Sequence, residues 1–216
     1  MAAMLTAADG HRLDAHFAAP KGKPRGGLVV VQEAFGVTSY IKRVCDFFAG
    51  EGYAALAPAL YDRQERNAVF ENHEQVEKAR KLRAGLVWPD VVKDMAASVE
   101  RLREYGRVGT VGYCVGGSVA FLAALELNIA AAVAYYGRDI VEWLDRKPRC
   151  PVMLHFGERD HLIPMADVEK VRAAYPKDTY VYSAGHGFDR EDSDAARLAR
   201  QRTLEFFERH LGSRAA

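Results

Sequence analysis

Short, unbroken apolar runs alternate along this chain with longer segments whose apolar positions recur every three or four residues. Residues 5–6 and 12–17 flank Asp9-Gly10, a turn pair that predicts a hairpin. Residues 28–32, 53–57, 130–136 and 151–156 are continuous apolar runs, the pattern of strands buried on both faces. Residues 108–113 and 179–183 read as two further strands. Between the strands lie helical periods. In 39–50, Ile41, Val44, Cys45 and Phe48 share a face that Gly50 and Gly52 bring to an end. Residues 89–105 open on proline and acid and place Val92, Met95, Ala96 and Val99 on the buried side. Residues 118–127, 164–175 and 192–211 predict helices, and 140–144 a short one. The segment 71–86 is helix-forming but strongly charged, which predicts an outer helix, and 60–69 reads as a polar loop. Strand–helix alternation predicts an α/β fold, with a mostly parallel central sheet and helices on both faces. No segment has the composition of an interdomain linker, so one domain is expected over 1–216.

Composition narrows the function only by exclusion. The 216 residues are 49% apolar and 27% charged, with a formal net charge of +1, which is ordinary for a globular domain with a sizeable core. That balance gives no reason to expect nucleic acid or an acidic membrane surface as a partner. The three cysteines, Cys45, Cys114 and Cys150, are odd in number and widely spaced, unlike a disulfide framework, and no C-x-x-C points to zinc. The first residues lack a basic stretch leading into an apolar core, and no run reaches membrane-spanning length. A cytoplasmic location follows as the expectation.

Candidate chemistry begins at Gly112-Tyr-Cys-Val-Gly-Gly117, where a β-branched run turns into an Ala/Leu-rich segment. The G-x-S-x-G nucleophile elbow has this form, here with cysteine at the apex. A helix N-terminus beside Cys114 favours its thiolate. The same turn is also compatible with a merely buried thiol. A thiol nucleophile needs a base, and that base needs an orienting group. In an open α/β sheet both are sought at the carboxyl ends of strands. Asp160 follows the strand at 151–156, and His186 follows that at 179–183, with a glycine on either side. The order nucleophile, acid, histidine is that of the α/β-hydrolases. His161, beside Asp160, is the weaker choice of base, since adjacent side chains diverge. His155 lies within an apolar strand and reads as a core histidine. Cys45 and Cys150 read as small core residues.

Together with Gln32-Glu-Ala-Phe-Gly36, Leu60-Tyr-Asp-Arg-Gln64, Tyr135-Tyr-Gly137 and Gly185-His-Gly-Phe-Asp-Arg190, these motifs make the chain resemble the dienelactone hydrolase (carboxymethylenebutenolidase) family. The likeness covers nearly the whole length. It implies an α/β-hydrolase fold without a cap domain and a Cys114–His186–Asp160 triad that cleaves a small ester or enol-lactone through a thioester. It also implies that Glu33 contacts and activates the thiol, and that the backbone N–H groups of Ala34 and Val115 form the oxyanion hole. Arg190, Phe35 and Tyr136 become substrate-binding residues. Family members hold a substrate carboxylate with two arginines. Arg190 matches one, Val76 falls where the other belongs, and Arg80, one turn along, is the candidate replacement. No metal or cofactor is implied, and the partner is a small molecule acting on a monomer, with a dimer as the alternative. Two other readings stay open: a general carboxylesterase or thioesterase without carboxylate selectivity, and a noncatalytic protein with a redox-responsive Cys114.

Overall fold

The computed structural model describes residues 1–71 and 75–212. Its centre is an eight-stranded sheet. Strands β1 (Ala2–Thr6) and β2 (Arg12–Ala18) form the expected hairpin, which joins antiparallel to β4 (Ala54–Pro58). The rest of the sheet is parallel, through β3 (Gly27–Val31), β5 (Val108–Tyr113), β6 (Ala131–Tyr135), β7 (Val152–Gly157) and β8 (Thr179–Tyr182). The order β1-β2-β4-β3-β5-β6-β7-β8 puts β5 beside both β3 and β6. Every residue of β3, β4, β5, β6 and β7 is buried, which is why these strands read as continuous apolar runs.

Helices α1 (Ser39–Gly50), α2 (Val76–Ala84), α3 (Trp88–Leu102), α4 (Val115–Glu126), α5 (Met165–Ala174) and α6 (Asp194–Leu211) connect and cover the sheet. Helix α1 buries Ile41, Val44, Cys45 and Phe48, as its spacing predicts. Helix α4 is buried from Val115 to Leu125, so its largely apolar composition reflects a position under the rest of the fold. His155 is fully buried and satisfied by the Tyr182 hydroxyl at 2.9 Å and Thr203 Oγ1 at 3.2 Å. Burial, aided by the nearby Arg202 charge, takes its pKa down to about 3, so it stays neutral.

Four expectations shift. The buried face of α3 is Val91, Asp94, Met95, Ser98, Val99 and Leu102, one position round from the predicted stripe. Asp94 turns inward because Arg63 meets it with a two-pronged ion pair, at 2.7 and 2.8 Å. Second, the stretch expected as a polar loop begins with a 3₁₀ turn, Leu60–Arg63, whose Leu60, Tyr61 and Asp62 are buried. Its polar groups are spent on backbone: Asp62 accepts from the Asp14 and Asn67 N–H groups. Third, the charged helix α2 is shorter than 71–86, with Gly85 at its C-cap and Ala79 and Leu82 as its buried residues. Residues 72–74, at the start of that expected helix, lie outside the described residues. The short helix foreseen at 140–144 is a 3₁₀ turn, Arg138–Trp143.

Candidate active site

The strand-to-helix turn is as tight as the glycines require. Cys114 sits between β5 and α4 with φ 57° and ψ −120°, a region that side chains rarely adopt. Its N–H donates to the Tyr135 carbonyl at 3.1 Å, and its carbonyl accepts from the Gly117 N–H at 2.9 Å. A Cβ on Gly112 would lie 1.8 Å from the Gly116 carbonyl oxygen, and one on Gly116 would lie 2.4 Å from the Val31 and Gln32 carbonyl oxygens. Only bare glycines let α4 start against the end of β3 with the thiol lifted between them.

Asp160 and His186 arrive from neighbouring strand ends. Asp160 Oδ2 lies 2.7 Å from His186 Nδ1. The other carboxylate oxygen accepts from the Leu162 N–H at 2.8 Å and the Ile163 N–H at 3.2 Å, which fixes the acid in its loop. The two loops meet closely, for a Cβ on Gly157 would be 2.4 Å from the Ala184 carbonyl oxygen. His186 Nε2 is buried with no aligned hydrogen-bond partner among the described residues, yet Cys114 is close enough to act on the ring. Burial opposes charging of His186, but hydrogen bonding and charge from Asp160 and Cys114 outweigh it and push the pKa up to about 10. The other two thiols are not in the site. Burial raises the pKa of Cys45 and pushes that of Cys150 up to about 11.

Cys114 and His186 open on a cavity of about 470 Å³ that Ala34, Phe35, Val76, Arg80, Val115 and Tyr136 also line. Among the described residues neither the Ala34 nor the Val115 N–H donates to another protein group. The Ala34 peptide is oriented from behind, where its carbonyl accepts from the Tyr61 hydroxyl at 2.9 Å. Tyr136 is fully buried at φ 40°, with its ring 4.8 Å from that of His186. Arg80 reaches the cavity from α2 while pairing with Glu77 at 2.7 Å. His161 lines the same cavity but is exposed, and its ring meets that of His186 edge-on at 6.2 Å.

Glu33 and Arg190 meet each other. Glu33 is buried, and Arg190 donates to its Oε2 from Nε at 2.9 Å and more closely from a terminal nitrogen. Arg190 lies over the Tyr40 ring at 4.5 Å and lines a separate cavity of about 270 Å³. Arg83, Arg138 and Asp139 also line the Cys114 cavity, and sequence reasoning passed them over. A signal existed: Arg138 and Asp139 lie just past Tyr136 and Gly137, in the loop after β6, where ligand-facing residues collect. Among the described residues no group of three or more His, Cys, Asp or Glu is arranged to hold a metal ion, and no helix is long and apolar enough to cross a membrane.

Comparison with known proteins agrees with this geometry. The family model of the dienelactone hydrolase family matches residues 13–211. A carboxymethylenebutenolidase of Pseudomonas putida is 32% identical, over 92% of this chain and 92% of its own. A candidate dienelactone hydrolase from Klebsiella pneumoniae superposes with a TM-score of 0.80 at 29% identity, covering 96% of this chain and 98% of that one. A dienelactone hydrolase-like promiscuous phosphotriesterase from metagenomic libraries superposes at 0.78 with 20% identity, over 98% and 99% of the two chains, a likeness of fold alone. With the match running from β2 to α6 and taking in elbow, acid loop and histidine loop, the chain belongs to the dienelactone hydrolase family of α/β-hydrolases.

Proposed function

We propose that this protein hydrolyses a small carboxylic ester or enol-lactone, with Cys114 as nucleophile, His186 as acid and base, and Asp160 as the group that orients His186. The observation that carries the reading is the Asp160–His186 contact of 2.7 Å, in which Nδ1 is held and Nε2 is left to the side of Cys114. Asp160 and Cys114 raise the pKa of His186, which suits it to take the thiol proton and leave Cys114 to attack as the thiolate. The thiolate attacks the carbonyl carbon, and the oxyanion is met by the N–H groups of Val115 and Ala34. When the C–O bond breaks, the imidazolium gives its proton to the leaving oxygen. His186, now neutral, takes a proton from water, whose oxygen attacks the thioester and releases the acid and the thiolate. Enolates and phenolates suit this route better than alkoxides because they are less basic and, once protonated by the imidazolium, compete better with the thiolate for departure.

Glu33, which the family likeness would set against the thiol, is paired with Arg190, and His186 is the group that takes the thiol proton. Phe35 and Tyr136 shape the acyl side of the cavity.

Turnover of phenyl acetate by the wild type and by Cys114→Ala, His186→Ala and Asp160→Asn decides the matter. Loss of about a thousandfold or more in kcat is expected for the first two. Mass spectrometry of quenched wild type should find one acetyl group on Cys114. Activity that survives Cys114→Ala would overturn the proposal.

A further inference from the structure

We propose that Gln32 is a positioning residue of the oxyanion hole: from behind the site it holds the peptide whose N–H, that of Ala34, faces the substrate. The inference rests on the hydrolase reading and adds to it the groups that set the direction of the donor.

Gln32 directly follows β3 and is only 1% exposed, so its amide cannot turn to water. Its Oε1 accepts from the Leu60 N–H at 3.1 Å, and its Nε2 donates to the Glu33 carbonyl at 3.4 Å. The Leu60 N–H can only donate and the Glu33 carbonyl can only accept, so these backbone groups fix which way the amide faces. The Glu33 carbonyl also accepts from the Gly36 N–H at 3.2 Å, which closes a tight turn through Ala34 and Phe35. A peptide unit is planar, and this one is trans, so the Glu33 carbonyl and the Ala34 N–H point in opposite directions. Two donors on the Glu33 oxygen therefore aim the Ala34 N–H the other way, at the Cys114 cavity that Ala34 lines.

The next peptide is held by the neighbour of Leu60. The Tyr61 hydroxyl donates to the Ala34 carbonyl at 2.9 Å, and burial raises the pKa of that hydroxyl, so it stays a donor. Gln32-Glu-Ala-Phe-Gly36 and Leu60-Tyr-Asp-Arg-Gln64 thus clasp each other beyond the ends of β3 and β4. The carbonyls on both sides of the Ala34 N–H are engaged from behind, while the N–H itself meets no protein acceptor among the described residues. An oxyanion hole works because its donors are oriented before charge develops, and a peptide free to rock would forfeit much of that. Hydrogen bonds on the Glu33 oxygen also polarise the peptide, which strengthens the N–H at its other end as a donor.

The test sets a reaction that builds an oxyanion against one that does not. Phenyl acetate passes through a tetrahedral oxyanion, whereas iodoacetamide alkylates the Cys114 sulfur by direct displacement of iodide. Gln32→Met, similar in volume but without the amide, should lower kcat and kcat/KM for phenyl acetate together by about tenfold or more. Gln32→Glu keeps an acceptor for Leu60 and turns a repelling oxygen on the Glu33 carbonyl, so it should lose at least as much, and it answers for Gln32→Met should that variant not fold. Tyr61→Phe, which removes only the hydroxyl, should lower both constants in the same way. Alkylation of Cys114, followed by mass spectrometry of its peptide, should stay within about twofold of wild type in Gln32→Met and Tyr61→Phe. Wild-type turnover in either Gln32 variant, or a Gln32→Met protein that loses alkylation in step with turnover, overturns the assignment. If the wild type turns over no phenyl acetate, the hydrolase reading fails by itself, and the Ala34 amide decides. Its cross-peak in a proton–nitrogen correlation spectrum should be single and sharp in the wild type and doubled or broadened in Gln32→Met. A cross-peak alike in the two proteins overturns the assignment.

Discussion

Cys114 and His186 act on each other, and that coupling is open to direct measurement. Burial by itself would keep the His186 ring neutral. What keeps it charged is a carboxylate on Nδ1 and a sulfur near Nε2, and either can be removed without changing the ring. In wild type the His186 ring protons should titrate near pH 10 by NMR. In Cys114→Ala the midpoint should fall by about one pH unit or more, and in Asp160→Asn it should fall as well. A midpoint indifferent to Cys114→Ala would mean that the sulfur takes no part, and thiolate–imidazolium pairing would be lost as an explanation. The sign for stability follows from the raised value. A ring more basic in the folded chain than in the unfolded one stabilises the fold below pH 6.5, and this contribution disappears as pH climbs through about 10.

Close packing of elements, more than any single bond, gives the elbow its shape, and two glycine substitutions separate these effects. Gly116→Ala places a methyl 2.4 Å from two carbonyl oxygens at the end of β3, which neither backbone can yield without moving α4 off the sheet. Gly50, on the last turn of α1, has nothing within 4 Å of an added Cβ. Urea denaturation should show Gly116→Ala destabilised by about 3 kcal/mol or more, and Gly50→Ala unchanged or more stable by up to roughly 1 kcal/mol. A tolerated Gly116→Ala would contradict the close approach of α4 to β3. Elements built this way are the legible ones. The buried parallel strands announce themselves as apolar runs, and the loops after them carry Cys114, Asp160 and His186 because strand ends are where a parallel sheet exposes residues. What stays hidden is pairing at long range. Arg190 and Glu33 are 157 residues apart, and no spacing rule says that they neutralise each other. The inward turn of Asp94 is hidden for the same reason, since an acid reads as solvent-facing until its partner is known. Arg83 and Arg138 look like ordinary surface arginines until the fold closes a cavity beneath them.

At the scale of the whole molecule, the N-terminal hairpin joins the sheet through the β2–β4 ladder, and one arginine ties its turn to α3. Arg63 stands on the turn after β4, donates to both oxygens of Asp94 on α3, and reaches Asp9 in the β1–β2 turn at 3.0 and 3.2 Å. Asp94 is 1% exposed in its side chain, and burial raises its pKa even with the guanidinium beside it. Asp9 is only partly covered, and Arg63 above all holds its carboxyl well below the usual range. The two acids therefore respond differently to loss of Arg63: Asp9 keeps Lys93 at 3.3 Å and its access to water, while Asp94 is left as a buried charge with no ion-pair partner. Arg63→Met should cost roughly 3–5 kcal/mol, nearly all of it through Asp94. Arg63→Met/Asp94→Leu should recover most of that loss, because removing both charges leaves nothing unpaired, whereas adding Asp9→Ala to Arg63→Met should recover little. Arg63→Lys should fall between, since an ammonium cannot span both oxygens of Asp94 and still reach Asp9. Denaturation midpoints at an unchanged m-value measure all four proteins. A double variant no more stable than Arg63→Met would show that the arginine holds the hairpin by packing and not by charge. The same turn carries Tyr61, whose hydroxyl orients the Ala34 carbonyl, so variants that loosen it should slow phenyl acetate turnover even where the fold survives. Stability and catalysis then fall together for Arg63→Met, and the double variant that restores the one restores the other.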